Sequence, residues 1–273
     1  MSDGIEKHTA RAVDMDQMVK AAGGCAGFMR SQMGRQIFIR EDRSQGDIDV
    51  INEVLVGDTY RIGEMMEAPA LVFDIGSHIG TFTLGVLWKF DLNIPVVCVE
   101  PHPVNHALLE MNLKQAPQAE VLRGALSYKK GDVIADGARA TGGGIVMWRE
   151  DYDRRRAMGQ MSNYPQRLEI GRTWTIRDLF ERATHRFPET MRDMSKVVMK
   201  WDCEGGEVDA FTNMSDEERD MIGNAKMVGE YHMAGGWNAF HALLKTRWPS
   251  RKFETTNPPR PDSEHIGWWR STL

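Results

Sequence analysis

The stretch LVFDIGSHIG at residues 71–80 constrains this chain more than any other. An apolar run stops at Asp74, and glycines follow at positions 76 and 80. A parallel strand buried on both faces reads as such a continuous apolar run. Beyond the turn, Ile79, Phe82, Thr83, Val86, Leu87 and Phe90 fall at helical spacing and make one apolar face. The pattern is a βα unit whose turn sits at the carboxyl end of a parallel strand. Open α/β sheets place their ligands at that edge.

The same alternation continues. A second strand, Val96 to Val99, ends at Glu100, and a helix is expected around Asn105–Gln115. A third strand is expected near Glu120–Leu126. Thr175 to Asp178 is a capping-box pattern ahead of Leu179 and Phe180, and Ser215 with Glu218 marks another helix start. A fourth strand, Lys196–Trp201, ends at Asp202, before a helix containing Val208 and Phe211. Lys226–Tyr231 is a fifth, followed by Trp237, Phe240, Leu244 and Trp248 at helical spacing. KFETT at 252–256 and IGWWRST at 266–272 fit an antiparallel pair closing the sheet. Residues 127–172 show less order: SYKKGD reads as a turn, TGGG at 141–144 as flexible, and REDYDRRR at 149–156 as a solvated loop or helix face. Residues 1–65 are expected to form a helical or mixed N-terminal cover on a domain spanning 66–273.

A net charge of −5 gives no electrostatic argument for a polyanionic partner. Cys25, Cys98 and Cys203 are too few and too scattered for a disulfide framework or a zinc site. The opening MSDGIEKHTARAVDMDQ lacks the apolar core of a signal peptide, and no run approaches the roughly 18 apolar residues of a membrane span. The expectation is a soluble, cytoplasmic protein without a membrane partner.

The turn has a chemical reading. A glycine turn leading into a helix can offer backbone N–H groups to a ligand, and Gly76 lets that ligand approach closely. A carboxylate at the end of the neighbouring strand, Glu100, can accept ribose hydroxyls. The dinucleotide fingerprint G-x-G-x-x-G is absent, since position 78 is His. Asp74 would sit badly beside a pyrophosphate and better suits a ligand with an ammonium group. S-adenosylmethionine carries both a ribose and an ammonium.

The segments VFDIGSHIGTFTL (72–84), VCVEPHPVNHALLEMNL (97–113), RGALSYKKGD (123–132), VVMKWDCEGGEVDAF (197–211) and GEYH (229–232) resemble the FkbM-type S-adenosylmethionine-dependent methyltransferases. With GDIDVINEVLVGDTY at 46–60, the resemblance runs from about residue 46 to 232. It implies an α/β, Rossmann-like class I methyltransferase fold: a mostly parallel seven-stranded sheet with helices on both faces. It also implies a cofactor loop of Asp74, Gly76, Ser77, His78, Gly80, Thr81 and Phe82. Glu100 and Pro101 would lie at the ribose, Ala125 and Ser127 beside the adenine, and Asp202 at the cofactor's reactive end. The chain departs from the family pattern in having Ser77-His78 for Ala-Asn, Cys203 for an apolar residue and Gly206 for Ala. Ser127 also stands where many methyltransferases carry an acid.

Asp202, Glu204 and His232 follow neighbouring strands, so they can meet in one crevice as catalytic candidates. Methyl transfer to oxygen requires removal of the acceptor's proton, and His232 or a carboxylate could take it. Asp202 reads equally well as a helix cap. Glu204 and Glu207 suit the first turn of a helix on dipole grounds alone, the preferred reading for Glu207. The spacing of Asp202, Glu204 and His232 is not diagnostic of a metal, and none is expected. The functional expectation is O-methylation of a sugar or small metabolite, its oxygen acceptor taken from the resemblance. The alternatives are a ribose methyltransferase acting on RNA, to which Arg154, Arg155 and Arg156 could contribute, and a non-catalytic subunit keeping the fold. A nicotinamide dehydrogenase is more distant.

Overall fold

The computed structural model describes residues 26–30, 36–40, 46–136, 145–158, 167–169, 172–255 and 266–272. Strands β1 (Ala26–Arg30) and β2 (Gln36–Arg40) form an antiparallel pair. Helix α1 (Asp47–Ile51) widens into a π-helical turn over Asn52–Val56. Two βα units follow: β3 (Leu71–Ile75) with α2 (Thr81–Lys89), and β4 (Val96–Glu100) with α3 (Pro103–Asn112). Next come β5 (Ala119–Arg123), the short β6 (Ala125–Leu126), β7 (Val133–Asp136), β8 (Ile145–Trp148), α4 (Arg149–Ala157), β9 (Arg167–Glu169) and β10 (Thr173–Trp174). The second half contains α5 (Ile176–Arg186), β11 (Val197–Trp201), α6 (Gly206–Asn213), α7 (Asp216–Ile222), β12 (Lys226–His232), α8 (Gly236–Arg247), β13 (Lys252–Thr255) and β14 (Ile266–Thr272).

Seven strands make the central sheet, in the order β13-β14-β12-β11-β3-β4-β5. The run from β12 to β5 is parallel throughout, and only β14 is reversed, pairing antiparallel with both β12 and β13. Numbering these seven strands in chain order gives 3-2-1-4-5-7-6 with strand 7 reversed, the Rossmann-like arrangement of class I methyltransferases. The order turns back between β3 and β11, creating the topological switch point where such sheets bind ligands.

The two faces bury separate cores. Phe73, Ile75, Met199, Trp201 and Tyr231 pack against α5, α6 and α8 through Leu179, Phe211 and Phe240. Val72, Cys98, Val198 and Val228 pack on the other side with α1, α2 and α3 through Ile51, Phe82 and Leu108. Strands β3, β4 and β11 are therefore buried on both sides, as the apolar run at Leu71–Ile75 predicts.

The remaining expectations resolve individually. Helix α3 begins at Pro103 under the side chain of His102, which accepts from the N–H groups of Val104 and Asn105. Its last residue, Asn112, falls short of the expected Gln115. Thr175 and Ser215 both form complete capping boxes, with Asp178 and Glu218. REDYDRRR is a helix, α4, and β7, β8 and β9 form a three-stranded sheet beside it. TGGG at 141–144 lies outside the described residues. Among the described residues, no helix is long and apolar enough to cross a membrane.

Candidate active site at the carboxyl edge of the sheet

Strand register decides which side chains meet. Asp74 lies opposite Cys98 on one side and Lys200 on the other, and Lys200 lies opposite Val228. Side chains alternate with a period of two. Asp74, Glu100, Lys200 and Glu230 therefore share the face that carries Val72, Cys98, Val198 and Val228, at the carboxyl ends of β3, β4, β11 and β12.

Lys200 organises this edge. Its side chain is only 4% exposed, with Nζ 3.4 Å from Asp74 Oδ1 and 3.3 Å from Asp202 Oδ2. Nζ also donates to the carbonyl of Gly76. Burial works to lower the lysine's pKa, but the charges of Asp202 and Asp74 outweigh it and hold the ammonium charged. Asp202 is pulled the other way: burial opposes ionisation, while Lys200, His232 and the Tyr60 hydroxyl lower its pKa. Tyr60 donates to Asp202 Oδ2 at 2.8 Å and stays protonated because of burial and the neighbouring charge of Asp202.

Two expectations about the Gly76–Gly80 loop need correcting. Asp74 is completely enclosed, with Oδ2 accepting from Thr83 and Oδ1 beside Lys200. Its carboxylate holds the loop in shape and has no open side on which to meet a ligand's ammonium group. The backbone donors are committed as well. The N–H groups of Gly76 and Ser77 both reach the carbonyl of Val99, that of Gly80 reaches Ser77, and that of His78 reaches Glu100 Oε2. Ser77 Oγ donates to the carbonyl of Asp74. Gly76, at φ 77°, packs so closely that an added Cβ would lie 1.6 Å from the Asp202 carbonyl. Gly80, at φ 89°, turns the chain into α2, whose first two residues, Thr81 and Phe82, are buried.

Three buried side-chain atoms of this loop lack a hydrogen-bond partner among the described residues: Asp74 Oδ1, His78 Nδ1 and Thr81 Oγ1. Lys200 stands near the first without hydrogen-bonding geometry. His78 itself has φ 52°, and its Nε2 lies 3.2 Å from Arg40 and 3.4 Å from Asp47. Burial pushes its pKa down to about 4, against the pull of Asp47 and with the help of Arg40, so it is neutral. Arg40 and Asp47 form a buried ion pair, and Arg40 also donates to Asn105. They bring the N-terminal segment onto the loop.

Glu100 is the most open to a ligand in hydrogen-bond capacity. Its Oε1 accepts from His102 N and Asn105 Nδ2, and its Oε2 accepts from His78 N. A carboxylate has about four acceptor sites, so one remains, on Oε2. Burial raises Glu100 to about 7, and the three donors temper that rise. The expectation that it takes both ribose hydroxyls therefore reduces to one. Pro101 links it to the cap of α3. Ala125 and Ser127 are buried beside β10, where Ser127 N donates to the Trp174 carbonyl and Ser127 Oγ to Asp209.

Glu204, Glu207, Glu230 and His232 gather beside Asp202. Glu204 adopts φ 53° just before α6 and is the most exposed of the four, at 36%. Its carboxylate lies 3.5 Å from His232 Nε2. Glu207 is completely enclosed. One of its oxygens accepts from His232 N at 3.0 Å and pairs with His232 Nδ1 at 3.1 Å. The other accepts from Gly205 N and the Cys203 thiol. Burial works to lower the pKa of His232, but Glu207, Asp202 and Glu230 overcome it and raise the imidazole to about 10. Burial and the charge of Asp202 raise Glu230.

Asp202, Glu204 and His232 are thus brought together as expected. Lys200, Tyr60, Glu230 and the role of Glu207 were not foreseen. The signal for two of them was present: a lysine inside VVMKW and an acid inside KMVGEYH are ionisable residues in strands that bury both faces. Tyr60 carries no such local signal.

No family model matches the chain, and no curated protein matches it. Among solved structures it is similar to a precorrin-6y C5,15-methyltransferase from Geobacter metallireducens GS-15, at 10% identity and TM-score 0.38, covering 79% of this chain and 85% of that one. It is also similar to a SAM-dependent methyltransferase from Agrobacterium tumefaciens, at 11% identity and TM-score 0.40, covering 90% and 69%. A third is TYW2 from P. horikoshii in complex with MeSAdo, at 9% identity and TM-score 0.42, covering 90% and 71%. These likenesses are remote.

Proposed function

We propose that this chain is an S-adenosylmethionine-dependent methyltransferase of the FkbM type, transferring a methyl group to an oxygen of a sugar or small metabolite. The observation that carries the reading is the set of groups gathered at the switch point: the Gly76–Gly80 loop with the open acceptor site of Glu100, and Asp202, Glu204 and His232 at the neighbouring strand ends. The sequence segments that resemble the family supply the finer assignment. In this reading residues 66–273 are the transferase domain, and Arg40, Asp47 and Tyr60 of the preceding segment pack against it.

The residues fit the cofactor in kind. Glu100 Oε2 would accept a ribose hydroxyl, and the unpartnered His78 Nδ1 and Thr81 Oγ1 line the same loop. When bound, S-adenosylmethionine supplies an electrophilic methyl group. The chain's own part is to align an acceptor hydroxyl and receive its proton. Asp202 is held ionised by Lys200, so it can accept from that hydroxyl. His232, raised to about 10, is an imidazolium at neutral pH and donates at Nε2. This moves the base from His232 to a carboxylate. The test is incubation with labelled methyl donor and a panel of sugars, small metabolites and RNA. Label in a sugar or metabolite supports the reading. Label only in RNA would replace its acceptor, and no label in any class would remove it.

A further inference from the structure

We infer that Asp202, Glu230 and His232 form a binding site for a divalent first-row metal ion. One ligand atom from each of the three lies within 4.8 Å of the other two. Donors around a tetrahedral ion at about 2.1 Å are separated by ~3.4 Å, so modest side-chain rotations close the set. The three residues come from the ends of β11 and β12, whose pairing is fixed by register.

Two independent features point to a ligand. The first is the histidine's orientation. Glu207, fully enclosed, holds both Nδ1 and the backbone N–H of His232. Nε2 is thereby turned toward Glu230, at 3.7 Å. Metal-binding histidines are held in this way, with a carboxylate on the far nitrogen, and the ion takes the place of the proton that Nε2 carries in the metal-free protein. The second is Glu230. Its side chain is 16% exposed, yet among the described residues no hydrogen bond reaches its carboxylate. Among the described residues the cation it faces, beside the acidic Asp202, is the His232 imidazole at 3.7 Å, and a divalent ion between the two carboxylates stabilises both.

Lys200 does not fill this role. It stands beside Asp202 Oδ2, the oxygen that also accepts from Tyr60. Among the described residues, no hydrogen bond reaches Asp202 Oδ1. One imidazole nitrogen with two carboxylates suits Mn²⁺ or Zn²⁺ better than an all-oxygen site for Ca²⁺. Glu204, 3.5 Å from His232 Nε2, stands where it could add a fourth ligand. An oxygen-bearing acceptor or water would complete the coordination. The inference goes beyond methyl transfer and stands on these ligands alone.

The experiment uses the full chain, stripped with a chelator and dialysed, without methyl donor. Mn²⁺ is titrated with free Mn²⁺ read by electron paramagnetic resonance, and Zn²⁺ by calorimetry. One saturable site is expected, weakened at least tenfold in Glu230→Gln and in His232→Gln. Melting curves taken in chelator establish that each variant is folded. His232→Gln removes the imidazole and Glu230→Gln keeps the side-chain shape, so a folding failure in one leaves the other to decide. No saturable binding of either metal at millimolar concentration overturns the inference, as does unchanged affinity in a folded variant. S-adenosylmethionine binding measured in chelator reports separately on the methyltransferase reading.

Discussion

Lys200→Met should destabilise the protein more than any other single change at the sheet edge. Methionine keeps the length of the side chain and removes the ammonium. Asp74, completely enclosed, and Asp202 are then left without their shared cation, and the Gly76 carbonyl loses its donor. Removing one partner of a buried pair costs about 3–5 kcal/mol. At about 2–4 °C per kcal/mol for a chain of this order of size, melting should fall by ~6–20 °C. The loss should be partly recovered in Asp74→Asn/Lys200→Met, because asparagine still accepts from Thr83 and carries no charge. Coupling between the two sites should reach about 0.5–3 kcal/mol. The sign with pH also follows. Asp202 has a lowered folded pKa, so its ion pairing contributes stability above its usual carboxylate pKa, lost as pH falls through the folded value. The gap between wild type and Lys200→Met should therefore narrow in acid. Urea unfolding of the four proteins of the cycle at pH 7 and at about pH 3, below the usual carboxylate pKa of about 3.9, measures both quantities. A Lys200→Met protein within about 1 kcal/mol of wild type, or sites that are simply additive, would falsify the ion-pair account of this edge.

Three further outcomes are expected. Glu207→Gln should lower the His232 pKa from about 10 toward its usual value, read by NMR titration of the imidazole. A raised histidine contributes stability that is full below about 6.5 and lost as pH rises through the folded pKa, so the variant should lose less stability than wild type between pH 6.5 and 10. Gly76→Ala must fit a Cβ 1.6 Å from the Asp202 carbonyl at φ 77°; overpacking costs about 1–3 kcal/mol, and a melting point equal to wild type would contradict the close approach. Ser215→Ala removes the capping box of α7 and should cost about 1 kcal/mol in urea unfolding, with no effect on ligand binding.

The central sheet was legible because strands buried on both faces leave an unbroken apolar signature. Leu71–Ile75, Val96–Glu100 and Val197–Trp201 all match the expected runs closely. Helix starts were legible where side chains do the capping, as at Thr175 and Ser215. The N-terminal pair β1–β2 was not, because AGFMR and QIFIR are too short to separate from other apolar fragments. At the site, residue type and strand-end position placed Asp202, Glu204 and His232 together. They could not show which charges neutralise which. That depends on register across β3, β11 and β12, which sets Lys200 beside Asp74 and brings Glu230 to the cluster. Glu207 suits a helix dipole in sequence, and only its enclosure against the end of β12 shows that it holds His232.

Calorimetry with S-adenosylmethionine and its demethylated product, on wild type and Glu100→Gln, tests the central claim most directly. The account predicts saturable binding to wild type in preference to NAD. Hydrogen bonds to a charged group contribute about 1.5–3 kcal/mol, so affinity in a folded Glu100→Gln protein should fall by about one to two decades. NAD binding with none for the methyl donor, or an unchanged affinity in Glu100→Gln, would contradict it.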